Sequence, residues 1–149
     1  MAILRNGKKS LKNRELTGMQ AQIRIGETDV RILIWERTGP MDRKRFGTYG
    51  ELLAEVYLEE QGYQLQAKNY QCRLGEVDLI AEKDGCLHFV EVKTRKQNDA
   101  FRPAEAVNRT KQEHLWKAAQ VYLKEVGKEY DAICFDVMEV EVNHLVNVL

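Results

Sequence analysis

The spacing of apolar residues changes along the chain, and each change marks the end of one predicted element and the start of another. From residue 48 the apolar positions recur at intervals of three and four, the period of a helix with one buried face. Thr48 is placed to cap this helix, Glu51 completes a capping box three residues on, and Gly62 ends it. The apolar stripe of this predicted helix consists of Leu52, Leu53, Val56 and Tyr57.

Three short segments after this helix have the length and composition of strands, and the second and third form a predicted hairpin. They are residues 63–71, 75–81 and 87–93. Asp84-Gly85 lies between the last two and is a strong signal for a two-residue turn. With that turn Lys83 faces Cys86, and the two strands run antiparallel.

A longer helical pattern and a further strand complete the chain. The helical pattern follows Pro103, runs to about Val126 and stops at Gly127. Residues 132–140 indicate a strand, and residues 141–149 are expected to pair back on it through a turn at Asn143-His144. The order α-β-β-β-α-β predicts an α/β fold, in which helices flank a mixed β-sheet.

The first forty residues differ from the rest and predict an N-terminal extension, which is partly disordered or a short hairpin. Residues 1–20 are polar and basic with little periodicity. Residues 23–35 alternate loosely around a turn at residues 26–29. Gly39-Pro40 marks a break, so residues 41–149 are predicted to form the compact domain.

Composition fits a globular protein and limits where its ligands could bind. The 149 residues are 44% hydrophobic and 31% charged, and no apolar run approaches the roughly 20 residues of a membrane span. No signal peptide is visible, and three cysteines without a CxxC motif indicate reduced thiols, so a cytoplasmic location is expected. The formal net charge is zero, so nucleic acid would have to bind at a local basic patch.

The predicted hairpin brings acidic residues together on apolar strands. Its register sets Asp78 opposite Glu91 and Glu76 opposite Lys93, and cross-strand Cβ atoms lie roughly 4.5–5.5 Å apart. Facing carboxylates at that separation require a cation, and Mg²⁺ takes one or two carboxylates together with water and phosphate oxygens. Lys93 could then orient the attacking water. The alternative is an ordinary Glu76–Lys93 ion pair with the other two carboxylates facing solvent.

Several motifs of the chain resemble those of the bacterial YraN family. That family is assigned to the restriction-endonuclease-like, or PD-(D/E)xK, superfamily and is similar to archaeal Holliday junction resolvases. The resemblance covers about residues 43–140 and does not reach residues 1–40. The matching segments are Gly47-x-x-Gly50-Glu51-x-x-Ala54, Asn69-Tyr70, Gly75-Glu76-Val77-Asp78-Leu79-Ile80-Ala81, Phe89-Val90-Glu91-Val92-Lys93-Thr94-Arg95 and Lys111-Gln112.

The resemblance implies a restriction-endonuclease-like mixed sheet and a catalytic site. Asp78, Glu91 and the backbone carbonyl of Val92 would bind Mg²⁺ or Mn²⁺, with Lys93 as the catalytic lysine. A glutamate of the first helix would assist, and Glu51 matches the family position. Glu55 stays open as an alternative because it lies closer to the apolar stripe of the helix.

Basic residues after the third strand are the candidates for contact with nucleic acid. The set comprises Arg95, Lys96, Arg102, Arg109 and Lys111. No base-reading module is visible, so recognition of backbone or structure is expected. The alternative is a solvated charged surface. A zinc site is not expected, because His88 is interpreted as structural and the other two histidines have no ligand-spaced partners.

Two functions follow as hypotheses. The first is a metal-dependent endonuclease that hydrolyses DNA phosphodiester bonds, with branched DNA as a candidate substrate and a homodimer as its natural form. The second is a non-catalytic nucleic-acid-binding or adaptor module that retains the nuclease fold.

Overall fold

The computed structural model describes residues 2–4, 17–25, 28–36, 43–96 and 108–145, which form seven strands and two helices. The first three strands are β1 (Ala2–Leu4), β2 (Thr17–Ile25) and β3 (Thr28–Glu36). They precede helix α1 (Arg43–Glu60). The remaining elements are β4 (Gln64–Cys72), β5 (Gly75–Lys83), β6 (Cys86–Lys96), α2 (Arg109–Val126) and β7 (Ala132–Leu145).

The strands form one sheet in the order β1-β3-β2-β7-β6-β5-β4. Strands β4 to β7 make a four-stranded mixed sheet, in which β6 and β7 run parallel and the other neighbours antiparallel. Strand β2 continues it beyond β7. The parallel pair needs a crossover connection, and α2 lies within it. The prediction of a mixed sheet flanked by helices is confirmed.

The two helices cover different apolar surfaces of the mixed sheet, because strand side chains alternate between its faces. On β6, Val90 and Val92 pack with residues of α1, whereas Leu87 and Phe89 pack with residues of α2. Glu91 and Lys93 follow Leu87 and Phe89 at alternate positions. They therefore lie on the face that α2 covers.

The β5–β6 hairpin forms as predicted near its turn. Lys83 pairs with Cys86 and Ile80 pairs with Phe89. Asp84 and Gly85 have φ angles of 50° and 77°, so both central residues are left-handed, as a type I′ turn requires.

Helix α1 begins five residues earlier than predicted, at Arg43, which makes the capping role of Thr48 wrong. Thr48 lies inside the helix, and its Oγ1 donates a hydrogen bond to the carbonyl of Lys44 (3.1 Å). A threonine inside a helix commonly bonds back in this way. The predicted end is confirmed, since Gly62 has φ 86° and its N–H donates to the carbonyl of Glu59.

Strand β7 is longer than predicted, and the turn at Asn143-His144 is wrong. The strand runs without interruption to Leu145, and Asn143 and His144 pair with Gln20 and Met19 of β2. A partner more than a hundred residues away therefore extends β7, which local sequence patterns do not report.

The remaining predicted boundaries have mixed outcomes. Helix α2 ends before Gly127 as predicted, and Gly127 has φ 63°. The helix begins at Arg109 with Asn108 as its cap, and the stretch from Pro103 to residue 107 lies outside the described residues. The domain boundary at residue 40 stays a prediction, although β2 pairs with β7 in the same sheet.

Candidate active site

The antiparallel pairing of β5 and β6 stops where the candidate site begins. The last backbone pair is Leu79 with Val90, so the expected direct pairing of Asp78 with Glu91 is wrong. The Asp78 side chain replaces the missing partner, because its Oδ2 accepts a hydrogen bond from the backbone N–H of Val92 (2.7 Å).

The alternation of side chains along β5 is also interrupted at Asp78. Val77 and Ile80 both pack with the residues of α2. They are three positions apart, so strict alternation would place them on opposite faces. Leu79 packs with the residues of α1. Beyond Leu79 the backbones of β5 and β6 are not paired, and Asp78 and Val92 border the gap in the pairing.

Glu91 is the one charged side chain in the buried core of the described residues, and only 3% of its surface is exposed. Its Oε1 accepts a hydrogen bond from Lys93 Nζ (2.7 Å). Its Oε2 lies 3.2 Å from Lys111 Nζ, an ion-pair distance, but has no hydrogen-bond partner of acceptable geometry among the described residues. A buried carboxylate oxygen without a hydrogen bond costs free energy, so this position favours a cation.

Lys111 brings the positive charge of α2 to the same place. Its Nζ also lies 3.5 Å from Glu76 Oε1, so the predicted Glu76–Lys93 pair is replaced by Glu76–Lys111 and Glu91–Lys93. The predicted ion pair is absent because β5 and β6 are no longer paired at Glu76 and Lys93. Burial acts to lower the pKa of Lys111, but the nearby negative charge of Glu91 outweighs it and raises that pKa.

The carboxyl group of Asp78 resists ionisation. Its burial raises its pKa from 3.8 to about 6, and the charges of Glu91 and Glu51 act in the same direction. The N–H of Val92 and the charge of Lys111 oppose this effect without cancelling it. Three acidic groups therefore share one region in which negative charge is not fully compensated.

Helix α1 places Glu51, rather than Glu55, beside this region. Glu55 Oε1 forms an ion pair with Lys68 Nζ of β4 at 2.9 Å, whereas the charge of Glu51 acts on Asp78. The helix lies close to β6 here, because a Cβ atom on Gly50 would overlap the side chain of Thr94. A glycine at position 50 thus permits the approach that places its neighbour Glu51.

The acidic residues fit a small hard cation bound partly through water. The ligand oxygens of Glu51, Asp78 and Glu91 do not all lie within 4.8 Å of one another. Mg²⁺ usually binds one or two carboxylates and keeps several waters. The three carboxylates could therefore hold such a cation only if a water molecule completes at least one of the contacts.

The basic residues predicted to contact nucleic acid have different surroundings. Lys111 lies in the site, and Arg95 Nε forms an ion pair with Glu139 Oε1 at 3.0 Å. Arg109 is exposed on α2 and lies 3.5 Å from Glu113. The side chain of Lys96 and the whole of Arg102 lie outside the described residues.

An apolar groove of about 400 Å³ lies between α2 and β7. Glu91 pairs with Val137 of β7, and Val137 lines the groove. Trp116 and Phe135 have ring centroids 5.5 Å apart, and Trp116 is 54% exposed. Local sequence patterns did not reveal this groove, since it forms between α2 and a strand that begins after the helix ends.

A second group of polar side chains was also missed. Cys86, His88 and Cys134 have ligand atoms within 4.8 Å of one another, and no other such trio of His, Cys, Asp or Glu occurs in the described part of the chain. The available signal was the pair of patterns Cys-x-His on β6 and Cys-x-Asp on β7. It becomes visible only when those strands are known to be neighbours.

Neither of the two described helices is long and apolar enough to cross a membrane.

The fold and site define a mixed α/β protein with a partly buried acidic cluster at the point where two antiparallel strands stop pairing. The chain belongs to the family described as "uncharacterised protein family UPF0102", whose match covers residues 50–140. The chain is 40% identical to a UPF0102 protein of Syntrophomonas wolfei, over 70% of this chain and 96% of that protein. It is 45% identical to one of Symbiobacterium thermophilum, over 66% of this chain and 83% of that protein.

Proposed function

We propose that this protein is a metal-dependent endonuclease that hydrolyses phosphodiester bonds in DNA, with branched DNA as its substrate class. The observation that supports this most directly is the buried carboxylate of Glu91, one oxygen of which has no hydrogen bond among the described residues. Asp78 lies near enough for the two charges to interact. Paired acidic groups beside a lysine are the arrangement that restriction-endonuclease-like nucleases use, and the proposed fold is of that type.

Asp78, Glu91 and the carbonyl of Val92 would hold Mg²⁺ or Mn²⁺ in the gap between β5 and β6. In an antiparallel ladder a residue directs its N–H and its C=O to the same side of the strand. Val92 donates its N–H to Asp78, so its carbonyl is expected to face the same gap. When bound, the cation would stabilise negative charge on the phosphate and make a bound water a better nucleophile.

Lys93 and Lys111 contact the two carboxylate oxygens of Glu91 and would act on the attacking water and on the phosphate. The Lys93 side chain is about one third exposed, so it can donate a hydrogen bond to an attacking water while it stays next to Glu91. The Lys111 side chain is about one quarter exposed and can turn from Glu91 towards a phosphate oxygen. A cation beside Glu91 would favour this turn, because it would replace the positive charge that Lys111 provides.

The surroundings of the site suit a nucleic-acid substrate. Lys111, Arg95 and Arg109 lie on the elements that form the site and could contact the phosphate backbone. Trp116 presents an exposed ring beside the same face, and unpaired bases stack on aromatic side chains of this kind. Branched DNA offers duplex backbone on several arms, and a flapped branch adds unpaired bases. A symmetric junction would require two copies of the chain for paired cuts.

Cleavage assays test the proposal directly. Linear, flapped and four-way DNA would be incubated with the full chain and Mg²⁺ or Mn²⁺, with Asp78→Ala and Lys93→Ala as the loss-of-function variants. We expect metal-dependent cutting by the wild type and a loss of at least about 100-fold in rate for each variant, since both remove charge at the reacting phosphate.

Two glutamates one helical turn apart provide a matched comparison. Glu51→Ala should slow cleavage strongly, whereas Glu55→Ala removes only the ion pair with Lys68 and should leave cleavage nearly unchanged. Salt-sensitive DNA binding without cutting, equal in wild type, Asp78→Ala and Lys93→Ala, would instead establish the non-catalytic adaptor.

A further inference from the structure

A compact group of metal-binding side chains lies on the face of the mixed sheet that is opposite to Glu91. Cys86 and His88 are two residues apart on β6, and Cys134 and Asp136 are two residues apart on β7. Residues two apart on a strand share a face, so each pair projects on one side of the sheet. His88 and Cys134 are direct register partners on the parallel strands, which brings the two pairs together.

The distances within this group suit one cation. The ligand atoms of Cys86, His88 and Cys134 all lie within 4.8 Å of one another, and the two Sγ atoms are 2.7 Å apart. Two sulfur atoms bound to one tetrahedral zinc at about 2.3 Å lie about 3.8 Å apart, so the thiols would separate by about 1 Å on binding. That shift is within the reach of small side-chain rotations.

His88 has a carboxylate partner that suits such a role. Its Nδ1 lies 2.6 Å from Asp136 Oδ2. A proton shared at that position leaves the lone pair of the ring on Nε2. The arrangement of carboxylate, histidine and metal is common in zinc proteins, where it fixes the ring and its tautomer. The ring of Tyr63 packs edge-on against His88 at 5.0 Å and restricts it further.

The chemistry of the group differs from that of the acidic site. Two thiols and an imidazole are soft or intermediate ligands that favour zinc and related transition metals, whereas the acidic cluster favours Mg²⁺. The Cys and His residues are partly rather than fully buried, and Asp136 is about one third exposed. A cation can therefore enter from solvent, and a water molecule can complete a tetrahedral set.

We propose that Cys86, His88 and Cys134 form a zinc site that links the first residues of β6 and β7, with Asp136 positioning the histidine. The site has three protein ligands and one open position. It is independent of the proposed nuclease activity, because none of its residues belongs to the acidic cluster. Bound zinc would tie together the starts of the two central parallel strands.

Titration of the reduced, metal-free full chain with Co²⁺ provides the test, since a tetrahedral cobalt–thiolate site has characteristic visible and near-ultraviolet absorption. We expect the thiolate band to saturate at one thiolate-bound Co²⁺ per chain and to be lost when one Zn²⁺ displaces it. Cys86→Ser and Cys134→Ser should each lose the thiolate band or weaken it sharply. Asp136→Asn should retain the band but lower the metal affinity by about 10- to 100-fold.

Cys72→Ser is the matched control, because the third cysteine lies on β4 among residues packed with α2, outside the group. This variant and Asp78→Ala should bind Co²⁺ as the wild type does. Circular dichroism would verify that every variant is folded. The proposal is overturned if the reduced wild type shows no thiolate band, or if Cys134→Ser retains the band at full intensity.

Discussion

Asp78 occupies the position at which the backbone pairing of β5 and β6 ends, and its carboxylate takes over the N–H of Val92 that a strand would otherwise satisfy. The same side chain is held in a region that already contains Glu91 and Glu51. One residue therefore shapes the gap and also supplies a proposed ligand to it. Placing this side chain here costs folding free energy once it ionises, because burial and the charges of Glu91 and Glu51 disfavour its carboxylate form.

This cost predicts a pH-dependent gain in stability for Asp78→Asn. The pKa of Asp78 is raised from 3.8 to about 6 in the folded protein, chiefly by burial. A raised pKa contributes stability that is fully present below the unfolded value and is lost as the pH rises through the folded value. Asparagine cannot ionise and can still accept the N–H of Val92 through its amide oxygen.

We therefore expect the metal-free variant to match the wild type below about pH 4 and to exceed it increasingly up to about pH 6. Above that pH the difference in the free energy of unfolding should stay near 1–2 kcal/mol, a figure reduced for partial solvent screening. Urea unfolding in the presence of a chelator measures it. Asp84→Asn, at the exposed hairpin turn, should not reproduce the profile, and a gain that is equal at all pH values would contradict the explanation.

At the scale of the elements, α1 determines whether the acidic cluster has its third member. The helix lies against β6 so closely that Gly50 has no room for a Cβ beside Thr94, whereas Gly47 on the same helix has open space. Glu51 follows Gly50 directly, so its position depends on this contact.

Alanine substitutions at the two glycines should have opposite effects. Gly50→Ala forces α1 away from β6 and should cost about 1–3 kcal/mol, as overpacking does. Gly47→Ala removes a flexible residue from a helix without a clash and should gain up to about 1 kcal/mol. Thermal unfolding of both variants measures this difference, and equal stability would mean that the helix does not approach the strand so closely.

The predictions from sequence succeeded where the determinants are local. Asp84-Gly85 fixes its turn through two left-handed residues, and Gly62 and Gly127 end their helices in the same conformation. The register of the hairpin was correct from the turn to Leu79. The predicted register failed at Asp78, because its side chain, not a backbone carbonyl, accepts the N–H of Val92. The sequence pattern cannot reveal such a hydrogen bond.

Non-local pairing explains the other failures. The length of β7 depends on β2, and the grouping of Cys86 with Cys134 depends on which strands are neighbours. Asp78 and Glu91 could be identified because they lie on one hairpin. The thiol group and the aromatic groove could not, since each combines elements that are distant in the chain.

At the scale of the whole molecule, β7 joins two parts of the sheet. One edge pairs in parallel with β6, and the other pairs antiparallel with β2 from Arg24↔Glu139 to Gly18↔Leu145. The strand thus connects the site-bearing sheet to the first forty residues. A break in the sequence at Gly39-Pro40 does not by itself show that the two parts are independent.

Removal of residues 1–40 distinguishes an appendage from a structural component. In the shortened chain the outer edge of β7 would lose its partner, and unpaired strand edges promote association with other chains. We expect the fragment 41–149 to unfold at a lower temperature than the full chain and to self-associate as its concentration rises, measured by calorimetry and sedimentation.

Replacing Arg24 and Gln22 by proline in the full chain should have a similar but smaller effect, because it removes backbone donors of β2 without removing the strand. A fragment as stable and as monodisperse as the full chain would instead establish residues 41–149 as a separate domain, and would confine the role of the first forty residues to something other than completing the sheet.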